Sequence, residues 1–166
     1  MFSHNLILGD VRLYFHQNQR NIKMADIIKK GSAHWEGSIK EGKGTISTES
    51  GALSQQPYGF NTRFEDKVGT NPEEIIGAAH SACFSMALSL QLGEAGFTAD
   101  AIDTEAAVTL SKDEKGFFIR QVHLTSRVKV KDIDDETFQK IATATKEGCP
   151  VSRLLNAEIL LDAKLV

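Results

Sequence analysis

The longest apolar stretch of the chain covers residues 69–97 and predicts one long helix. Between Glu74 and Glu94 no residue carries a formal charge, apart from a histidine if it is protonated. Asn71 suits the N-cap and Pro72 the first helical position, while two glycines near the far end can terminate the helix. Because this helix is apolar or small on nearly every side, we expect it to be the buried core helix of a domain.

Alternating apolar and polar positions predict strands on both sides of this helix. Residues 28–36 and 44–49 are two extended runs separated by glycines, which predicts a hairpin. Residues 102–111 and 117–131 predict a second hairpin around a short charged turn. Residues 50–64 are rich in Gly, Ser, Gln and Asn, so we interpret them as a long loop of the kind that tends to be functional or covering.

Helical spacing returns near the end of the chain. A second helix is expected to begin near Asp134 or Asp132 and to stop at Gly148. Cys149 and Pro150 then start a short third helix, and a final strand is indicated by Ile159, Leu161 and Leu165. The order of hairpin, helix, hairpin, two helices and strand predicts an α+β domain with mostly antiparallel pairing.

Composition and charge narrow the class of protein. A length of 166 residues suggests one domain with a sizeable core. Residues 1–23 differ from the rest and are expected to be an extension, with the single domain spanning residues 24–166. A net charge of −3 argues against a protein devoted to nucleic acid or to an anionic membrane surface. The serines, histidine and glutamine within the long helix favour a globular core helix over a membrane span.

The chain has 2 cysteines, far apart in sequence, which is not the pattern of a secreted disulfide scaffold or of a zinc site. A cytoplasmic protein fits best. Cys83 alone would usually be a small buried hydrophobe. Cys149 is expected at the N-cap of a short helix, where free backbone N–H groups stabilise a thiolate and burial opposes it. The residues alone leave that balance open. We expect His80 to be a packed core or interface histidine and no metal to be bound.

Four segments together resemble the OsmC branch of the OsmC/Ohr family. In chain order these segments are AHWEGSIKEGKGTISTESG, QQPYGFNTRFE, GTNPEEIIGAAHSACFSMALS and GCPVSRLL. The resemblance covers nearly all of residues 24–166. It implies antiparallel sheets around a long buried central helix, in an intertwined homodimer.

The resemblance also implies a thiol peroxidase that reduces organic hydroperoxides and needs no cofactor. Cys83 matches the peroxidatic cysteine and Cys149 the resolving cysteine. Arg63 matches the arginine that the OsmC branch supplies from a loop, and Glu73 the carboxylate that holds this arginine. An external dithiol, such as a lipoylated protein, is the implied reductant, and neither nucleic acid nor membrane is an implied partner.

Helix geometry adds a prediction about where these residues come from. Glu73 and Cys83 lie ten positions apart on one predicted helix, or roughly 15 Å. One guanidinium that contacts both groups spans only about 8 Å. We therefore expect each site to be composite, with Glu73 and Arg63 supplied by the other subunit.

Two other classes of function stay open on the residues alone. A redox-sensing or small-molecule-binding dimer would use the thiols as a switch, oxidise once and lack a fast reductant. A purely structural dimer would have thiols that do not react with peroxide.

Overall fold

The computed structural model describes residues 26–166, and elements are numbered within that range; the predicted extension over residues 1–23 lies outside it. The first three strands, β1 (Gly31–Glu36), β2 (Lys43–Thr48) and β3 (Gln56–Tyr58), form an antiparallel sheet in that order. The predicted first hairpin is therefore confirmed as β1 and β2.

The prediction of a continuous loop over residues 50–64 is wrong. This segment contains β3 and a five-residue helix, α1 (Phe60–Phe64). Both are too short to produce a periodic pattern, and both depend on contacts with distant residues. The backbone N–H of Thr70 donates to Pro57 O (2.9 Å), and the Thr62 hydroxyl donates to Thr70 O (2.8 Å).

The predicted long helix is confirmed as α2 (Pro72–Glu94). The Asn71 side chain caps it by accepting from the backbone N–H of Glu74 at 2.9 Å. The helix continues past Gly93, and the chain then turns at Gly96, whose φ of +89° suits glycine. By length and hydropathy α2 could cross a membrane, yet one of its faces packs into the core of this domain.

Within residues 26–166 only one face of α2 is buried, not nearly every side as its composition predicts. The buried face carries Gly77, His80, Phe84, Leu88 and Leu92. On the other side the side chains of Met86 and Leu90 are 76% and 60% exposed. The part of the chain that the structure describes therefore leaves this second apolar face unburied, and covering it would stabilise the protein.

The second sheet contains β4 (Ala99–Asp113), β5 (Gly116–Val130) and β6 (Glu158–Leu165). Strands β4 and β5 form the predicted second hairpin, whereas β6 pairs with β5 in parallel. Parallel pairing requires a crossover, which is made by α3 (Asp135–Gly148) and α4 (Pro150–Leu154).

The core lies between α2, α3 and the inner face of the second sheet. Its largest buried side chains are Phe84, Leu88, Leu92, Leu124 and Phe138. Helix α2 approaches β4 closely at Gly77, where an added Cβ would lie 2.9 Å from the carbonyl oxygen of Ala106. This packing places the middle of α2 beside α4, so Cys83 lies close to the residue that precedes α4.

Candidate active site

One charged pair stands at the N-terminus of α2. Arg63 is in the last turn of α1, and its Nε donates to both carboxylate oxygens of Glu73, at 3.0 and 3.2 Å. A second guanidinium nitrogen, Nη2, also contacts Glu73. The Glu73 side chain is 14% exposed and that of Arg63 32%. This fork-like pairing fixes the plane of the guanidinium.

The segment that carries Arg63 is tied to the start of α2. The Thr62 hydroxyl accepts from the backbone N–H of Gly59 (2.9 Å) and donates to Thr70 O (2.8 Å). The Asn71 side chain, besides capping α2, donates to Thr62 O at 3.4 Å. These bonds join α1 to the residues just before α2, and they thereby fix the position of Arg63 relative to α2.

The two thiols form a second pair, at the place where α2 meets the start of α4. Cys83 is in the middle of α2, and Cys149 is the residue that precedes α4. Their Sγ atoms are 3.4 Å apart. Cys149 is fully buried, whereas Cys83 is partly exposed. A peroxide that approached this pair would therefore meet the sulfur of Cys83.

Burial raises the pKa of the Cys83 thiol, and the neighbouring Cys149 raises it further. The backbone N–H of Val151, in the first turn of α4, hydrogen-bonds to the Cys83 sulfur and lowers this pKa. The sequence pattern suggested that the N–H groups of this short helix would act on Cys149. One of them instead points at Cys83, because α4 packs across the middle of α2.

The structure brings Arg63 to Glu73 and Cys83 to Cys149, but it does not join the two pairs within one chain. Helix α2 is unbroken from Pro72 to Glu94, so Glu73 and Cys83 are about 15 Å apart along its axis. Within residues 26–166, the polar contacts of Arg63 go to Glu73 and none reaches Cys83. Among residues 26–166 of one chain, the Arg63 guanidinium is thus held at Glu73 and not beside the Cys83 sulfur.

An aromatic cluster beside Arg63 was missed in the sequence. The rings of Phe60 and Phe64 have centroids 4.9 Å apart, and Phe64 and Phe117 are 5.4 Å apart. The guanidinium carbon of Arg63 lies 5.3 Å from the centroid of the Phe64 ring. The signal was the spacing of the two phenylalanines in FNTRF, one helical turn apart, which the interpretation of this segment as a loop concealed.

His80 is a packed core histidine, as predicted. It is fully buried, and its Nε2 lies 2.8 Å from the hydroxyl of Ser152 in α4. Burial lowers the pKa of the His80 imidazole, which keeps the ring neutral at neutral pH. Among residues 26–166 no group of three or more His, Cys, Asp or Glu side chains is placed to hold a metal ion.

Comparison with known proteins gives a consistent group of relatives. The family described as OsmC-like protein matches residues 64–164. Peroxiredoxin OsmC of Escherichia coli K12 is 66% identical over 139 residues, covering 84% of this chain and 97% of that protein. The organic hydroperoxide resistance protein OhrB of Bacillus subtilis 168 is 34% identical over 125 residues, covering 73% of this chain and 89% of that protein.

Solved structures agree with this grouping. The crystal structure of Bacillus subtilis OhrB superimposes with a TM-score of 0.61 at 30% identity, covering 81% of this chain and 98% of that one. An OsmC-like protein from Vibrio cholerae has a TM-score of 0.67 at 15% identity, covering 84% and 100%. The second likeness supports the fold alone.

Proposed function

The chain belongs to the OsmC family, and we propose that it reduces organic hydroperoxides to alcohols with its own cysteines, as a defence against oxidative stress. It is a cysteine-based peroxidase. The observation that carries the detailed proposal is the 3.4 Å contact between the sulfur atoms of Cys83 and Cys149. Two thiols at this distance can form a disulfide without a large movement of the backbone.

In the first step the Cys83 thiolate attacks one peroxide oxygen. The O–O bond breaks, the alkoxide leaves and takes a proton to become the alcohol, and Cys83 becomes a sulfenic acid. The thiolate form is needed, and burial opposes it. The N–H of Val151 opposes the effect of burial only in part, so the step requires a further positive group.

That positive group is Arg63 of the partner subunit in a homodimer. The exposed apolar face of α2, with Met86 and Leu90, gives a second copy of this chain a surface to bury. Within one chain the helix holds Glu73 and Cys83 too far apart for a single guanidinium to bridge. A second copy that packs against α2 can bring its own Arg63–Glu73 pair to Cys83.

In the second step Cys149 captures the sulfenic acid. Its sulfur attacks Cys83 Sγ, the S–O bond breaks, and the hydroxyl leaves as water with the proton from Cys149. The product is a Cys83–Cys149 disulfide, which an external dithiol such as a lipoylated protein reduces. Because Cys149 is fully buried, the incoming thiolate attacks the sulfur of Cys83 and Cys149 leaves.

The aromatic cluster of Phe60, Phe64 and Phe117 favours substrates with an alkyl chain. The side chains of Phe64 and Phe117 are 39% and 57% exposed, and they lie next to the arginine of the site. Apolar surface at this position would contact the organic part of a hydroperoxide, which hydrogen peroxide lacks. We place this activity in the cytoplasm, where dithiol reductants keep thiols reduced.

Counting thiols tests the proposal directly. The reduced protein and the variants Cys149→Ser and Cys83→Ser are each treated with a single equivalent of an alkyl hydroperoxide, and free thiols and alcohol are measured. We expect the unaltered protein to lose both thiols, Cys149→Ser to hold a sulfenic acid on Cys83, and Cys83→Ser to keep its thiol. Survival of both thiols in the unaltered protein would refute the peroxidase and favour a binding role.

A further inference from the structure

Two contacts join α2 to α4, one helical turn apart. The first is the sulfur pair Cys83–Cys149 at 3.4 Å, and the second is His80 Nε2 to Ser152 Oγ at 2.8 Å. His80 precedes Cys83 by three residues and Ser152 follows Cys149 by three, so each partner lies on the same helix face as its cysteine. We call each of these two contacts a rung between α2 and α4.

The His80–Ser152 rung is the stronger of the two. His80 is fully buried and Ser152 is 9% exposed, so water does not compete for this hydrogen bond. Among the described residues, the other polar contacts between α2 and α4 involve sulfur, a weak hydrogen-bond partner. His80 Nδ1 is buried with no partner among residues 26–166, which leaves Ser152 as the only polar anchor of the ring.

Helix α4 is otherwise held by apolar packing of Val151 against the core and by its direct connection to α3 through Cys149. It has only five residues, and the Cys149 side chain makes no capping hydrogen bond to it. Small shifts of α4 against α2 would therefore change the distance between the two sulfur atoms directly. A contact that fixes α4 one turn away from the thiols would limit such shifts.

We propose that His80 and Ser152 are a positioning pair that holds Cys149 within reach of Cys83 and thereby sets the rate of disulfide formation. This role rests on the proposed peroxidase function. Capture by Cys149 competes with a second hydroperoxide, which oxidises the Cys83 sulfenate to a sulfinate and leaves as an alcohol. Loss of the rung slows capture more than it slows the first oxidation of Cys83, so the protein is inactivated at lower peroxide concentration.

Ser152→Ala, Ser152→Thr and His80→Gln test this role, with Ser85→Ala as the matched control. Ser85 is also on α2, and Ser85→Ala also removes a part-buried hydrogen bond, but this bond goes to Thr104 of β4 (2.9 Å) and not to α4. Stopped-flow measurements give the rate constants for oxidation of Cys83 and for disulfide formation. Mass spectrometry gives the fraction of Cys83 sulfinic acid after increasing doses of alkyl hydroperoxide.

We expect Ser152→Ala and His80→Gln to slow disulfide formation by about threefold to tenfold, the range of one lost hydrogen bond. The dose that yields half sulfinic acid should fall by the same factor. Ser152→Thr, which keeps the hydroxyl, should restore both values, and Ser85→Ala should leave them unchanged. Equal capture rates in Ser152→Ala, His80→Gln and the unaltered protein would overturn the proposal, as would an equal slowing in Ser85→Ala.

Diamide oxidation separates this proposal from the peroxidase function. Diamide forms the Cys83–Cys149 disulfide without any hydroperoxide: one thiolate adds to its N=N bond, and the other sulfur then displaces the hydrazine. The rate of this displacement, measured at diamide concentrations where the first addition is fast, reports the proximity of the thiols. If Cys83 resisted hydroperoxide but Ser152→Ala still slowed disulfide formation by diamide, the peroxidase function would fail and the positioning role would stand. If hydroperoxide reacted as expected and the diamide rate did not change, the positioning role would fail alone.

Discussion

Subunit complementation is the sharpest test of the composite site. The distance of about 15 Å from Glu73 to Cys83 on the unbroken helix α2 exceeds the reach of about 8 Å of a guanidinium that contacts both. Arg63→Ala should remove the cation, raise the pKa of Cys83, and lower the peroxidase rate by about tenfold or more. Cys83→Ser should abolish the rate.

A mixture of these two inactive variants should regain activity once subunits exchange. After denaturation and joint refolding at equal concentrations, about half of the dimers contain one chain of each kind. In such a dimer one site combines an intact Cys83 with Arg63 of the partner subunit, and the other site has neither. The expected rate is therefore about a quarter of that of the unaltered protein.

The assay measures consumption of an alkyl hydroperoxide with a dithiol reductant, and native mass spectrometry of differently tagged chains counts mixed dimers. A jointly refolded pair of Cys83→Ser and Cys83→Ala controls for exchange and should stay inactive. If mixed dimers of Arg63→Ala and Cys83→Ser formed but showed no activity, Arg63 would act within its own chain and the geometric argument would be wrong.

Three further predictions concern the scaffold that holds the site. Gly77→Ala should destabilise the protein, because its Cβ would lie 2.9 Å from a backbone oxygen of β4, and overpacking of this kind costs about 1 to 3 kcal/mol. Gly93 is on the same helix, and an added Cβ there would have no atom within 4 Å. Gly93→Ala should therefore stabilise the protein by up to about 1 kcal/mol in urea unfolding, and equal effects of the two substitutions would contradict the close approach at Gly77. Asn71→Ala should cost about 1 kcal/mol by the same measurement, because it removes the N-cap of α2, and Asn71→Asp should not. The free energy of unfolding should fall as pH drops below about 6.5, since the folded state holds His80 neutral with a lowered pKa while the unfolded chain binds a proton. The neutral variant His80→Gln should show a smaller loss between neutral and mildly acidic pH, and an identical loss would mean that His80 is not the group responsible.

Much of the fold could be predicted because its signals are local. The cap of α2, the turn at Gly116 and the start of α3 at Asp134 depend on residues within one helical or reverse turn of each other. The short elements β3 and α1 could not be predicted, because they depend on residues outside them: β3 pairs with the preceding β2, and α1 bonds to Thr70. The exposure of the second face of α2 could not be predicted either, because composition shows that a side chain is apolar but not what covers it.

The candidate site, like the fold, could be predicted only in part. The prediction of Cys83, Cys149, Arg63 and Glu73 as site residues came from the resemblance to the family, since neither thiol has a local pattern that marks it as reactive. The Val151 N–H directed at Cys83 and the bond between His80 and Ser152 join positions far apart in sequence. Contacts of this kind depend on how α4 packs across α2, which no periodicity in either segment encodes.

The separation of the two cysteines has a consequence for the lifetime of the protein. The two cysteines are 66 positions apart in sequence, a span that includes β4, β5 and α3. A disulfide across a loop of this length removes entropy from the unfolded chain and stabilises the folded state by about 4 kcal/mol in the chain-entropy account. The oxidised protein should therefore resist proteolysis longer than the reduced protein, which timed digestion of both forms can measure. When reductant is scarce, the protein would accumulate in its disulfide form, which would then also be the form more resistant to proteolysis.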